Sequence, residues 1–216
     1  DKCKSLKARA EANEAFGAEL KKGKKADAQR GYEIACKEWM DVRSFGQVFA
    51  FKGSELSLGI RGPVSVQPAF SVDPIDITSM QITKSVNSED KEGKSSDTMG
   101  MKHRVDFGVY ILKGSINVQL SEKTGFTEED AEKIKEAIRT LFVNDSSSAR
   151  PDGSMVMHKL YWWKHNCKIG QYSSHKVHNS IEIKKKEGVR NPRKIEDYEI
   201  ICHELPELAV EEYEGL

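Results

Sequence analysis

An α+β fold is predicted by three features of the sequence: apolar residues at helical spacing in two long stretches, shorter stretches alternating apolar and polar residues, and glycine- or serine-rich breaks where one period gives way to the other. The 216 residues suffice for one sizeable domain. Hydrophobic residues make up 38% and charged residues 31%, and the longest apolar runs fall far short of the ~18–20 residues a membrane span needs. Gly (16) and Pro (6) are ordinary, which excludes collagen-like chains.

From the start, Lys4 to Lys21 spaces Leu6, Ala10, Phe16 and Leu20 as an exposed helix, followed by Gly23 and a lysine cluster. Ala28, Tyr32, Ala35, Cys36, Trp39 and Met40 form one apolar stripe and predict a core-facing helix over about Ala26 to Met40. After Gly59 the period becomes two: Val64, Val66, Phe70 and Val72 alternate with polar or small residues, with Pro68 marking an edge or bulge. Ile75 to Ser85 is extended, and the polar stretch Val86 to Thr98 reads as a mobile hairpin tip. Strand alternation resumes at Val105, Phe107, Val109 and Ile111 and shifts phase after Gly114 to Ile116, Val118 and Leu120. Thr127 to Asp130 resembles a capping box opening a second core helix to about Phe142. Met155 to Lys164 and the Ile181, Ile183 segment are further strands.

With one strand added before the second helix, this order becomes the ferredoxin-like or RRM-like β-α-β-β-α-β plan carrying a long hairpin insertion. That first strand is absent from the sequence, which also lacks an initiating Met. The expected organisation is a helix and basic loop over residues 1–25, the palm over 26–194 with the hairpin at about 78–104, and an acidic tail over 195–216.

Net charge is zero, with 34 basic and 34 acidic residues. The balance hides a gradient: Arg150 to Lys194 holds 11 basic and 3 acidic residues, whereas Ile195 to Leu216 holds 8 acidic and none basic. Screening over ~8–10 Å makes such local charge count for more than the total, so phosphate binding stays open. The four cysteines are far apart and read as reduced thiols in a cytoplasm, and no signal peptide precedes them. No phosphate loop, zincin or nucleophile-elbow motif is present. His158, His165, Cys167, His175 and His178 are the best metal candidates, but their spacing matches no zinc module, so no metal and no cofactor is expected. Basic residues sit instead beside glycines, in Asp41–Gly46, Gly59–Val64 and Met99–Arg104, where close backbone approach suits phosphate recognition better than base reading.

Taken in order, D-V-R-S-F-G (41–46), R-G-P-V-S-V-Q (61–67), D-P-I-D-I-T-S-M-Q-I-T-K-S (73–85), M-G-M-K-H (99–103), Gly108-Val109-Tyr110, T-G-F-T-E-E-D (124–130), N-D-S-S-S-A-R (144–150) and L-Y-W-W-K-H (160–165) resemble the repeated backbone subunit of type I CRISPR surveillance (Cascade) complexes. They are most similar to the type I-C, Csd-type member of the RAMP superfamily. Met101 stands where a basic residue is expected. The resemblance implies a non-catalytic protein that binds CRISPR guide RNA and assembles head-to-tail into a helical scaffold with other Cascade subunits, leaving the guide to pair with a target DNA strand. Its hairpin would act as a thumb that kinks the RNA. The RNA contacts expected are Arg43, Ser44, Arg61, Lys84, Lys102, His103, Arg104, Lys164 and His165. Met80, Met99 and Met101, with Ile82, would wedge against an unstacked nucleotide. The competing readings are a CRISPR-associated RNA endonuclease using His103, Asp41 and His165, and a scaffold without RNA affinity.

Overall fold

The computed structural model describes residues 5–86 and 99–216. The polar tip expected between Val86 and Met99 therefore lies, but for its two ends, outside the described residues. In chain order the elements are α1 (Leu6–Ala12), α2 (Glu14–Lys21), α3 (Ala28–Glu38), α4 (Met40–Phe45), β1 (Gly46–Ala50), β2 (Ser57–Arg61), β3 (Val64–Val66), β4 (Phe70–Ser71), β5 (Ile77–Thr83), β6 (Met99–Val105), β7 (Tyr110–Ile111) and β8 (Gly114–Ile116). They continue with α5 (Val118–Thr124), α6 (Glu128–Arg139), β9 (Lys159–Trp163), α7 (Ser174–His178), β10 (Ile181–Lys185), β11 (Tyr198–Cys202) and β12 (Val210–Glu214).

Local side-chain chemistry sets most boundaries. The single helix expected before Gly23 is two, because the Asn13 carboxamide oxygen accepts from Phe16 N at 2.9 Å and starts a new helix there. Asp27 caps α3 by accepting from Gln29 N and Arg30 N. Extended backbone at Trp39 then separates α3 from α4, a helix that the apolar stripe did not reveal. The alternation at Val118 and Leu120 predicted strand, but α5 forms instead: Asn117 caps it through Leu120 N, and Gly125 at φ 72° ends it in the left-handed conformation. Thr127 and Asp130 make both halves of a capping box at the start of α6.

Two compact units divide the chain: the first runs to Val66 and adds Gly114–Val177 and Glu204–Leu216, and the second comprises Gln67–Lys113 and His178–His203. In the first unit, α1 to α4 pack on the β1–β2 pair around Phe16, Phe49 and Trp39, whose rings lie 4.9–5.7 Å apart. β12 pairs with β9, and β8 with β3. Residues 195–216, expected as a tail, thus end in a paired strand. Three of their eight acids are paired at this strand: Glu212 and Glu214 with Lys159, and Glu211 with Lys135 at 2.9 Å.

In the second unit β11 pairs with β10 and β5 with β6. The β5–β6 pair belongs to a longer ribbon: Gln67 N donates to Lys113 O, Phe70 faces Ile111, Val72 N donates to Val109 O, and Ile77 faces Val105. Between the first two of these and again between the last two, the outgoing strand spends one residue more than the returning one. Pro68 and Pro74 occupy those two slips, where a residue lacking an N–H leaves no ladder donor unpaired. At the ribbon's base the Tyr198 hydroxyl donates to Asp73 at 2.8 Å, and Lys185 pairs with the same carboxylate at 3.2 Å. Among the described residues the strands pair two by two and all antiparallel, so the four-stranded ferredoxin-like sheet expected is not formed by them. The segments read as separate palm strands are two arms of one ribbon. No helix among the described residues is long and apolar enough to cross a membrane.

Glycines at the α4–β1 and β2–β3 junctions serve packing. Gly46 has φ 83°, and a Cβ there would stand 2.2 Å from Ile60 O; a Cβ on Gly62 would stand 2.2 Å from Ser44 O. Both contacts are to backbone, which cannot swing away. Gly62→Ala is expected to cost about 2–4 kcal/mol of stability, read as a lower urea midpoint at unchanged slope; an unchanged midpoint would mean the junction relaxes freely.

Candidate nucleic-acid interface

Every residue of β5 and β6 is exposed except Thr78. Successive side chains of a strand point to opposite faces, and directly opposed residues share a face. The register therefore places Thr78 with Arg104, Met80 with Lys102 and Ile82 with Gly100 on one face. Lys84 is exposed and follows β5 just outside the paired register. The other face carries Ile77 with Val105, Ser79 with His103, Gln81 with Met101 and Thr83 with Met99. Two of the expected cationic contacts, Lys102 and Arg104, are thus gathered on one surface beside Met80 and Ile82, which are 41% and 49% exposed. The wedge residues are divided, because Met99 and Met101 point the other way. His103 is also on that second face, its Nδ1 2.8 Å from Ser79 Oγ.

One carboxylate holds Thr78 and Arg104 of the cationic face. Asp106 accepts from Thr78 Oγ1 at 2.5 Å and from Arg104 Nε at 2.9 Å, and these hydrogen bonds, Thr78's first, hold its pKa below the usual range. Arg104 remains 59% exposed, so its outer nitrogens can still meet an anion. Lys102 makes no ion pair among the described residues. The sequence reading missed Asp106, although an acid two residues from Arg104 on the same strand face was a usable signal.

The remaining expected contacts lie in the first unit. Arg43 is a strut: its Nε and Nη2 donate to Asp130 at 2.8 and 2.7 Å, and its Nη1 reaches the carbonyls of Cys36 and Lys37. Its side chain is 20% exposed and that of Asp130 2%. The Arg43 hydrogen bonds, with those of Thr127, hold the Asp130 carboxyl down to about 2 against the cost of burial. Ser44 is fully buried and donates to Met40 O at 2.6 Å, so the geometry removes it from the set. Arg61 is exposed at the end of β2 and forms no ion pair among the described residues. Lys164 pairs with Glu128, both about two-thirds exposed, a pairing weak enough for a phosphate to displace. His165 uses Nδ1 to accept from Gln171 N at 3.0 Å.

Of the residues suggested for an endonuclease, Asp41 and His165 belong to the first unit and His103 to the second. Asp41 is clasped by both terminal nitrogens of Arg9 at 2.6 and 2.7 Å, which holds its pKa low and occupies both carboxylate oxygens. Among the described residues no three His, Cys, Asp or Glu are grouped to hold a metal ion, so His158, His165, Cys167, His175 and His178 do not converge into a site.

Residues 2–203 match the protein family described as CRISPR-associated protein Cas7. No curated protein matches the chain.

Proposed function

Since the chain belongs to the Cas7 family of CRISPR-associated proteins, backbone subunits of CRISPR effector complexes that bind guide RNA, we propose that its β5–β6 hairpin is the element that grips the guide in a type I-C Cascade complex. The carrying observation is the one-sided face of the hairpin, where Lys102 and Arg104 stand beside exposed Met80 and Ile82, with exposed Lys84 just past the end of β5. The cations take phosphate oxygens, and the Met80 side chain is the wedge against an unstacked base. Arg61 and Lys164 extend the phosphate contacts. The opposite face, with Met99, Met101 and Val105, is left for a second copy in a head-to-tail filament, since a two-stranded hairpin wet on both faces is marginal by itself. The role is non-catalytic; sequence specificity belongs to pairing between the guide and a target DNA strand.

Backbone recognition has a direct test. A guide RNA and a base-scrambled RNA of equal length should bind within about threefold of one another, with log K falling against log salt at a slope of about −3.5, as expected for five phosphate contacts on a single strand. Strong preference for one sequence at a shallow slope would assign base readout instead.

A further inference from the structure

In the first unit a groove of about 110 Å³ lies where α1 and α2 meet the turn after β1. Leu20 and Phe51, both packed on the core, form its apolar side. Its rim is Lys7 and Glu11 of α1, Lys21 of α2 and Lys52 of the turn, all exposed. Lys21 and Lys52 make no ion pair among the described residues, and Lys7 meets Glu11 only at 3.8 Å. Helix electrostatics accounts for Lys21, in the last turn of α2, but not for Lys52, which is on no helix, nor for Lys7, in the first turn of α1 where a cation is unfavourable. None of these residues falls in the motifs that resemble the guide-binding family.

We infer that this groove is a second nucleic-acid contact, taking the phosphates of a single strand other than the guide, with Phe51 offering an aromatic edge to a base. The inference rests on the guide-binding reading of the hairpin. At about 110 Å³ the groove is well below the roughly 300–1,000 Å³ that encloses a small molecule, and a polymer can lie across it without being enclosed. Lysines beside an aromatic residue are the combination that single-strand surfaces use without regard to sequence. Glu11 pushes the phosphates toward Lys21 and Lys52.

The test loads the full chain with guide RNA and titrates in labelled oligo-dT of about 15 nucleotides, long enough for one such surface and unpaired with the guide. Lys7→Ala/Lys21→Ala/Lys52→Ala should weaken oligo-dT binding about tenfold or more and flatten its salt slope by about 2, with guide affinity and melting temperature unchanged. The triple Lys→Arg variant should retain binding. Unchanged oligo-dT affinity in the alanine variant overturns the inference, as does equal loss of guide binding, which would put the groove on the guide's own path. Binding of poly-glutamate, lost in the alanine variant while oligo-dT is unaffected, would also overturn it and assign an acidic polypeptide. Absence of guide binding in the wild type appears in the loading step and counts against the hairpin reading alone.

Discussion

Replacing Lys84, Lys102 and Arg104 together by Ala should weaken guide-RNA binding about 50-fold at 0.15 M salt and flatten the salt slope by about 2, because each phosphate contact on a single strand carries about 0.7 of that slope. All three side chains are exposed and bury little, so the melting temperature should stay put. Asp106→Ala separates charge from positioning. It removes a negative charge near the site, which by itself favours RNA, yet it frees Arg104 and Thr78 from the carboxylate that orders them. If positioning dominates, affinity falls although net positive charge rises; an increase in affinity would show that Arg104 acts as charge alone. Anisotropy titrations of the two variants at several salt concentrations read both effects.

Arg43→Ala should act on a different quantity. It strips a buried carboxylate of its charged partner, and loss of one member of such a pair costs on the order of 3–5 kcal/mol. Arg43 is one-fifth exposed and Asp130 keeps its Thr127 bonds, so about 2–3 kcal/mol is expected, with no change in RNA salt slope. The pH dependence has a definite sign. The folded Asp130 pKa, about 2, lies below its ordinary 3.8, so its stabilisation is present above about pH 4 and is lost as pH falls toward the folded value. The stability gap between wild type and Arg43→Ala should therefore narrow between about pH 4 and pH 2. Urea unfolding across that range measures it. A variant that folds normally but binds RNA weakly would return Arg43 to the interface.

These two results divide residues that look alike in the sequence. Arg43 and Lys102 both stand in glycine-flanked basic motifs, and nothing local distinguishes a strut from an exposed contact. What distinguishes them is a carboxylate 87 residues away, at Asp130, a long-range partner that no spacing rule shows. The same holds for the charge gradient along the chain: Lys159 meets Glu212 and Lys184 meets Glu199 at 3.8 Å, so acids and bases that look segregated in order are neighbours in space. Local signals were legible where local physics decides. The Thr127 capping box, the core stripe of α3 and the slip at Pro68 can all be read from a few residues. They failed where two local rules competed, as at Asn117, whose cap outweighs the strand-like alternation of Val118 and Leu120. The hairpin was legible as an extended pair, but the separation of Met80 from Met99 and Met101 depends on register, which the residues at its tip do not reveal.

The most direct measurement is photocrosslinking of guide RNA bearing 4-thiouridine, followed by mass spectrometry of the peptide adducts. Adducts concentrated on residues 77–84 and 99–105, and centred on Met80, Lys102 and Arg104, are the expected result. Adducts confined to the first unit, with the hairpin unmarked at saturating guide, would contradict it and move RNA binding to another surface.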